Sequence, residues 1–275
     1  MLLWSTGFIG AKLGLPYAEP MTFLALRFAI ASGLLLAIVL VWRAPWPRSW
    51  AQACHIAVAG LLLHGLYLGS VFAAIHLGVE AGVAALVVSL QPLLVAAVAA
   101  PLLGERTTRR QWLGLAIGIL GVALVVGRKL GLGLGTAPGM GLVVLGLIGL
   151  AAATLYQKRF CDNMPFRSGN VIQLAAASLA TGALALLFET RVVVWSGEFV
   201  FALTWLVLVL SLGAFMLLYL LIQRGAAARV ASLFYLVPPA TALIAWLLFG
   251  ESFGPLALAG MALTVIGVAL ANRTG

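Results

Sequence analysis

The sequence predicts an all-α integral membrane protein, with ten transmembrane helices arranged as two inverted five-helix repeats. Three observations lead there. The 275 residues are 64 % hydrophobic and 8 % charged, with a mean hydropathy of +1.16, whereas a soluble domain carries about 25 % charged residues. Apolar runs of spanning length follow one another along almost the whole chain, and the second half matches the first at a fixed offset. This excludes a water-soluble enzyme and a disordered chain. The net charge of +9 sits mostly in the gaps between runs, where it carries topology, so no nucleic-acid partner is expected. Cys54 and Cys161 are far apart and lack metal-ligand spacing, so neither a disulfide framework, a metal nor a cofactor is expected.

The spans read in order as residues 1–15, 21–42, 53–76, 79–103, 112–127, 138–157, 168–188, 199–222, 229–249 and 255–272. Each run is continuous rather than alternating, which excludes a β-barrel. The first is short, since fifteen residues rise about 22 Å against a hydrocarbon core of about 30 Å. Lys12 interrupts it, so it is read as a span and not as a signal peptide. With the N-terminus inside, the inner gaps and tail hold eleven basic residues: Arg43, Arg48, Arg106, Arg109, Arg110, Lys158, Arg159, Arg167, Arg224, Arg229 and Arg273. The outer gaps hold three, Arg128, Lys129 and Arg191. That bias predicts both termini on the cytoplasmic side of a cell's inner membrane.

An offset of 146 residues brings Lys12 onto Lys158, Pro92 onto Pro238 and Gly104-Glu105 onto Gly250-Glu251. It also matches Gly114 with Gly260, and Gly121-Val122-Ala123-Leu124 with Gly267-Val268-Ala269-Leu270. Leu and Ala coincidences mean little in an apolar chain, but a shared offset for Lys, Pro and Gly-Glu points to a duplication. The repeats are taken as 1–130 and 131–275. Five spans each is an odd number, so the second copy enters the membrane from the opposite side.

Trp4-Ser5-Thr6-Gly7-Phe8 with Lys12 in the first span, Arg27 in the second, Gln91-Pro92 in the fourth and the Gly104-Glu105-Arg106 exit, echoed at Gly250-Glu251, together resemble the drug/metabolite transporter superfamily. The resemblance is to its EamA-type ten-helix branch, and within that branch to YddG-type exporters of aromatic and other amino acids. It implies a five-plus-five fold, export to the outside, and a central cavity lined by helices 1, 3, 4, 6, 8 and 9. The second half departs from the pattern, with Leu150 matching Trp4 and Gln173 matching Arg27.

Polar groups at membrane depth are costly and become the candidates for function. His64 and Tyr67 share a face of the third span with Gly60, either contacting a solute or gluing the bundle. Trp4 and Phe8 lie a turn apart in the first span, where an interfacial belt is the competing reading for Trp4. Ser211, Phe215 and Tyr219 form a stripe in the eighth, and Gln91, Tyr156 and Tyr235 add polar-tipped surface. Converging from several helices, these residues describe a pocket for a small amphipathic solute. Pro92 and the Pro238-Pro239 pair interrupt helices four and nine at matching depths, as broken helices at a transport site or as hinges. Lys12 and Arg27 are read as snorkelling outward or as contacts for a solute carboxylate. Gly65 with Gly69, Gly78 with Gly82 and Gly114 with Gly118 have the spacing of close helix contacts.

No Asp or Glu lies mid-span, which argues against a carboxylate proton relay. No HExxH, GxSxG or acidic cluster marks an intramembrane enzyme, and no catalytic residue is assigned. The function expected is inner-membrane export of amphipathic solutes, aromatic or neutral amino acids first, by alternating access with facilitated or weakly coupled flux. Multidrug or other metabolite efflux is the alternative. The partners are the solute and the lipid bilayer, and a monomer has helices enough to enclose the cavity.

Overall fold

The computed structural model describes residues 2–103, 108–131, 135–214, 217, 237–251 and 254–272. All its regular elements are helices, and the one extended contact among the described residues is an isolated antiparallel bridge between Ala18 and Val193. In chain order they are α1 (Leu2–Gly14), α2 (Pro20–Val41), α3 (Trp50–Gly60), a π-helical stretch π1 (Leu61–Leu68), α4 (Gly69–His76), α5 (Ala81–Val88) and α6 (Gln91–Leu103). Then come α7 (Arg109–Gly131), α8 (Ala137–Phe160), α9 (Phe166–Phe188), α10 (Gly197–Thr204), π2 (Trp205–Ala214), α11 (Val237–Phe249) and α12 (Pro255–Asn272).

Local sequence sets the helix starts. Pro20 opens α2, and Pro138 stands in the first turn of α8, where a missing N–H costs nothing. Ser49, Thr136 and Ser196 cap α3, α8 and α10 by accepting the N–H of the residue three positions on. Gly78 and Gly250 end their helices with φ of +88° and +66°, a conformation that suits glycine.

Seven helices or continuous helix pairs are long and apolar enough to cross a membrane among the described residues: 20–41, 50–76, 81–98, 109–129, 137–160, 166–188 and 197–214. Residues 237–249 and 255–270 form shorter apolar helices, and α1 has 13 residues. Large apolar side chains such as Leu40, Val41, Leu179, Leu187, Phe188 and Leu247 are exposed, as a lipid-facing surface requires. Trp42, Trp46 and Trp50 at one end and Trp195 at the other are exposed near helix ends, in the manner of interfacial belts.

Helix packing repeats across the two halves. A Cβ on Gly121 would lie 2.5 Å from the Gly260 carbonyl oxygen, and one on Gly267 would lie 2.5 Å from that of Gly114. Gly114 and Gly260 are 146 residues apart, as are Gly121 and Gly267, so exchanging the halves turns one contact into the other. Spans two and seven do the same. The Ser32 hydroxyl donates to the Val171 carbonyl (3.4 Å) and the Ser178 hydroxyl donates to the Ala25 carbonyl (3.2 Å). In both helix pairs numbering rises along one partner as it falls along the other, so matching helices run antiparallel where they touch. The wide turns of π1 and π2 also correspond, since 61–68 maps onto 207–214.

The fourth span is interrupted at Ser89–Leu90, just before Pro92, which sits in the first turn of α6, where it fits. The matching positions 235–236 lie outside the described residues. Of the glycine spacings, those at Gly65 and Gly78 act differently. Space around Gly65 is open, Gly78 serves a turn, and Gly118 packs on Leu90 and Leu93. Gly114 and Gly118 do meet a facing backbone, since a Cβ on Gly267 would lie 2.5 Å from the Gly114 carbonyl oxygen and 2.7 Å from the Gly118 nitrogen. Gly60 makes a further close approach, where a Cβ would lie 2.4 Å from Gln173 Cα.

Candidate functional site

The bundle has two ends, one carrying the α1–α2 connection and the other the α2–α3 connection. Between them, α2, π1 and π2 bring together the most unusual polar group of the chain. Arg27 projects from α2 and is buried, at 5 % exposure. Its Nε and Nη2 both donate to the Ser211 hydroxyl oxygen at 3.3 Å. Ser211 in turn donates to the Leu206 carbonyl five residues earlier (3.0 Å), a separation that the wide π2 turn favours. The guanidinium also stands over the Phe28 ring at 5.6 Å, and Phe28 packs 5.4 Å from the His64 ring. His64 and Tyr67 are both buried on π1.

No carboxylate pairs with Arg27 among the described residues. A guanidinium taken out of water without an anion carries a desolvation cost of several kcal/mol. Snorkelling is therefore not the arrangement: Arg27 turns inward, across the two halves of the chain.

Lys12 has the opposite fate. Its Nζ lies 2.5 Å from Glu251 Oε1, and that buried carboxylate also accepts the Ala81 N–H (3.0 Å) and Gly82 N–H (3.3 Å). Glu251 thus sits on the N-terminus of α5, where unsatisfied N–H groups and the helix dipole favour an anion. Glu80, the residue before α5, pairs with Lys129 of α7 at 2.6 Å. All eight residues of α5 are buried, so one interior helix is held at its start by groups from α1, α7 and the α11–α12 connection.

The same end carries a second polar cluster. Glu189 accepts the N–H groups of Met21 and Thr22 and the Thr22 hydroxyl, each at 2.7 Å, capping α2 from the end of α9. Glu19 reciprocates, accepting the Thr190 N–H (2.6 Å) and hydroxyl (2.5 Å). Hydrogen bonding from that hydroxyl holds the Glu19 carboxyl below its ordinary value near 4.5. Tyr17 hydrogen-bonds the Glu198 carboxylate, which raises the phenol above its ordinary 10.0.

The α2–α3 end is different. A cavity of about 390 Å³ lies between π1 and α8, lined by Leu63, Ala153, Thr154, Gln157, Lys158, Cys161 and Asp162. Thr154, Lys158 and Asp162 are exposed, so the cavity communicates with the surface. Gln91 at the start of α6 reaches its wall, with Nε2 donating to the Thr154 hydroxyl at 3.0 Å.

The remaining candidates divide. Phe8 is buried in the main core and Trp4 packs against it partly buried. Tyr156 stands apart from His64: its hydroxyl meets His55 Nδ1 at 2.8 Å, nine residues before His64, in a cluster where His55 stacks on Phe160 at 4.8 Å. Pro238 is buried and Pro239 exposed, and the Val237 carbonyl accepts from the Ser5 hydroxyl (3.3 Å). Phe215, Tyr219 and Tyr235 lie outside the described residues. Sequence reading missed the Glu19–Glu189 exchange, although Glu-Pro before one helix and Glu-Thr after another were visible signals, and it missed the trans partners of Glu251.

Comparison with known proteins adds context to this geometry. The sequence profile of the EamA-like transporter family matches residues 1–127 and again residues 137–273. The chain is 27 % identical over 270 residues to the "Uncharacterized inner membrane transporter YedA" of Escherichia coli (strain K12), covering 98 % of this chain and 87 % of that protein. It is 25 % identical over 284 residues to the "Probable amino-acid metabolite efflux pump" of Salmonella typhimurium, covering 98 % and 90 %. A solved crystal structure superposes with a TM-score of 0.66 at 24 % identity, over 98 % of this chain and 92 % of its own, which speaks to the fold alone.

Proposed function

The chain belongs to the EamA-like transporter family, and from that premise we propose that it exports small amphipathic solutes, amino acids first, across the inner membrane by alternating access. It is a multi-pass membrane protein and a transporter. The finer reading is ten spans in two inverted repeats, both termini cytoplasmic, and the α1–α2 end facing out. The antiparallel contacts between matching helices, the paired π stretches and the twofold profile match support the repeat. The positive-inside bias supports the orientation.

The observation that carries alternating access is the difference between the two ends. At the α1–α2 end, Lys12, Glu251 and the Ala81 and Gly82 N–H groups join parts of both halves. At the other end a cavity of about 390 Å³, with polar and apolar lining, reaches the surface. This difference supports the reading of a carrier closed on the outside and accessible from the inside. Arg27, His64 and Tyr67 do not line this cavity, so in this reading solute reaches them from it by a rearrangement, and opening outward requires Glu251 to leave the α5 N-terminus. The amino-acid preference draws on the named Salmonella relative and on the mixture of guanidinium, hydroxyl and aromatic groups. With no acid at mid-span, flux follows the solute gradient rather than a tight proton exchange.

The test is reconstitution in liposomes, with uptake of labelled amino acids and of a lipophilic cation measured with and without a pH gradient. Saturable amino-acid flux insensitive to the gradient supports the reading. Flux of the cation alone, or flux only under a pH gradient, replaces it with drug efflux or coupled antiport.

A further inference from the structure

We propose that Arg27 anchors the carboxylate of the transported solute, and that the site reads this carboxylate while leaving the solute's amine unread. The inference rests on the transport reading above and names the solute class. Of the two intramembrane cations the sequence offers, Lys12 is already neutralised by Glu251, which leaves Arg27. Guanidinium has five N–H donors in a planar fork and stays charged at every physiological pH. Two of those donors share one serine oxygen at 3.3 Å, a long and neutral contact. The fork is therefore far from saturated among the described residues, and a carboxylate is the group whose geometry matches it.

The surroundings define the rest of the solute. Phe28 and the His64 ring supply aromatic faces, Tyr67 supplies a hydroxyl, and all are buried. No acidic side chain lies mid-span anywhere in the sequence, so nothing of opposite charge awaits an ammonium group. A lipophilic cation meets a like charge there. An acid whose amine is acylated loses no partner. The solute class is thus aromatic or apolar monocarboxylates, with amino acids as members rather than as its definition.

The experiment is counterflow in liposomes with labelled phenylalanine, N-acetylphenylalanine, phenylalaninamide and tetraphenylphosphonium, each also run as a competitor. For the wild type, phenylalanine and N-acetylphenylalanine should compete within about threefold of each other, and the amide at least about tenfold more weakly, as expected for a site left unpaired by an analogue. Arg27→Gln should abolish that discrimination, and Arg27→Lys should keep part of it. Amide competition equal to that of phenylalanine, or unchanged discrimination in Arg27→Gln, overturns the carboxylate anchor while leaving transport intact. Should Arg27→Gln not fold, the wild-type ranking of acid, acylated acid and amide decides alone. Absence of flux for all four compounds overturns the transport reading, and this inference with it.

Discussion

The two ends of the bundle use polar groups in opposite ways. At the α1–α2 end, acids meet bases and helix N-termini, and the acids Glu19, Glu80, Glu189, Glu198 and Glu251 all have partners there. At the α2–α3 end, Thr154, Gln157, Lys158 and Asp162 line an accessible cavity. Among the described residues, the ion pair that joins the two halves lies at the α1–α2 end, and under the proposed alternating access that end would be the seal and the cavity the vestibule. Breaking the seal without disturbing the packing is the way to test that difference.

The largest effect is expected at Glu251. Glu251→Ala leaves Lys12 and two helix N–H groups without their anion, and removal of one member of a buried pair costs about 3 kcal/mol or more. Lys12→Ala leaves the buried Glu251 carboxylate with the Ala81 and Gly82 N–H groups, so its cost should be smaller by what those two donors supply. Thermal melts in detergent, comparing the two variants, check the ranking. Equal losses would mean that the α5 N–H groups contribute nothing.

Next is the α7–α12 crossing, which both states should share. Gly121→Ala puts a methyl group against the Gly260 carbonyl and should cost about 1–3 kcal/mol by overpacking. Gly127→Ala and Gly141→Ala, where a Cβ meets open space, should be neutral or slightly stabilising. Gly121→Ala should lower stability without changing which end is accessible. Smaller still are Ser32→Ala and Ser178→Ala. Each removes one interhelical hydrogen bond of about 0.6 kcal/mol, and pseudo-symmetry predicts equal losses. A large inequality would break the equivalence of the halves at spans two and seven.

The smallest effect is pH-dependent and confined to the seal. Glu19 has a lowered pKa, so its contribution is present above the ordinary carboxylate value near 4.5 and fades as pH falls through the depressed one. Tyr17 has a raised pKa, so its contribution is present below 10.0 and fades as pH rises through the elevated value. Melting of Thr190→Val, which removes the hydroxyl bond to Glu19, should show a weaker acid-side loss than the wild type.

Much of this was legible in the sequence, and the rest was hidden for identifiable reasons. The 146-residue register named Gly114, Gly121, Gly260 and Gly267 as equivalents, but equivalence does not reveal adjacency, and their mutual contact needed the packing. Ser32 and Ser178 share the same register, yet two serines among many small residues give no signal until their carbonyl partners are seen. The break before Pro92 was announced by the proline, which frees the carbonyl of Val88 four residues earlier. The π stretches depend on hydrogen-bond register, which has no residue signature here. Arg27 was singled out as a cation in a span. Its inward turn depended on Ser211, 184 residues away, and no local pattern encodes that. Phe215, Tyr219 and Tyr235 retain only their sequence rationale.

The central claim is that Glu251 on the α5 N-terminus holds one end shut while the other stays accessible. It is tested most directly by thiol labelling of the protein in nanodiscs. Cys54 and Cys161 would be replaced by serine, and a single reporter introduced as Val83→Cys near the seal or Thr154→Cys in the cavity. The account predicts fast labelling at 154 and slow labelling at 83, with Glu251→Gln raising the rate at 83 by at least about tenfold, the factor that 1.4 kcal/mol confers. Fast labelling at 83 in the otherwise native protein, or a rate there indifferent to Glu251→Gln, would contradict it.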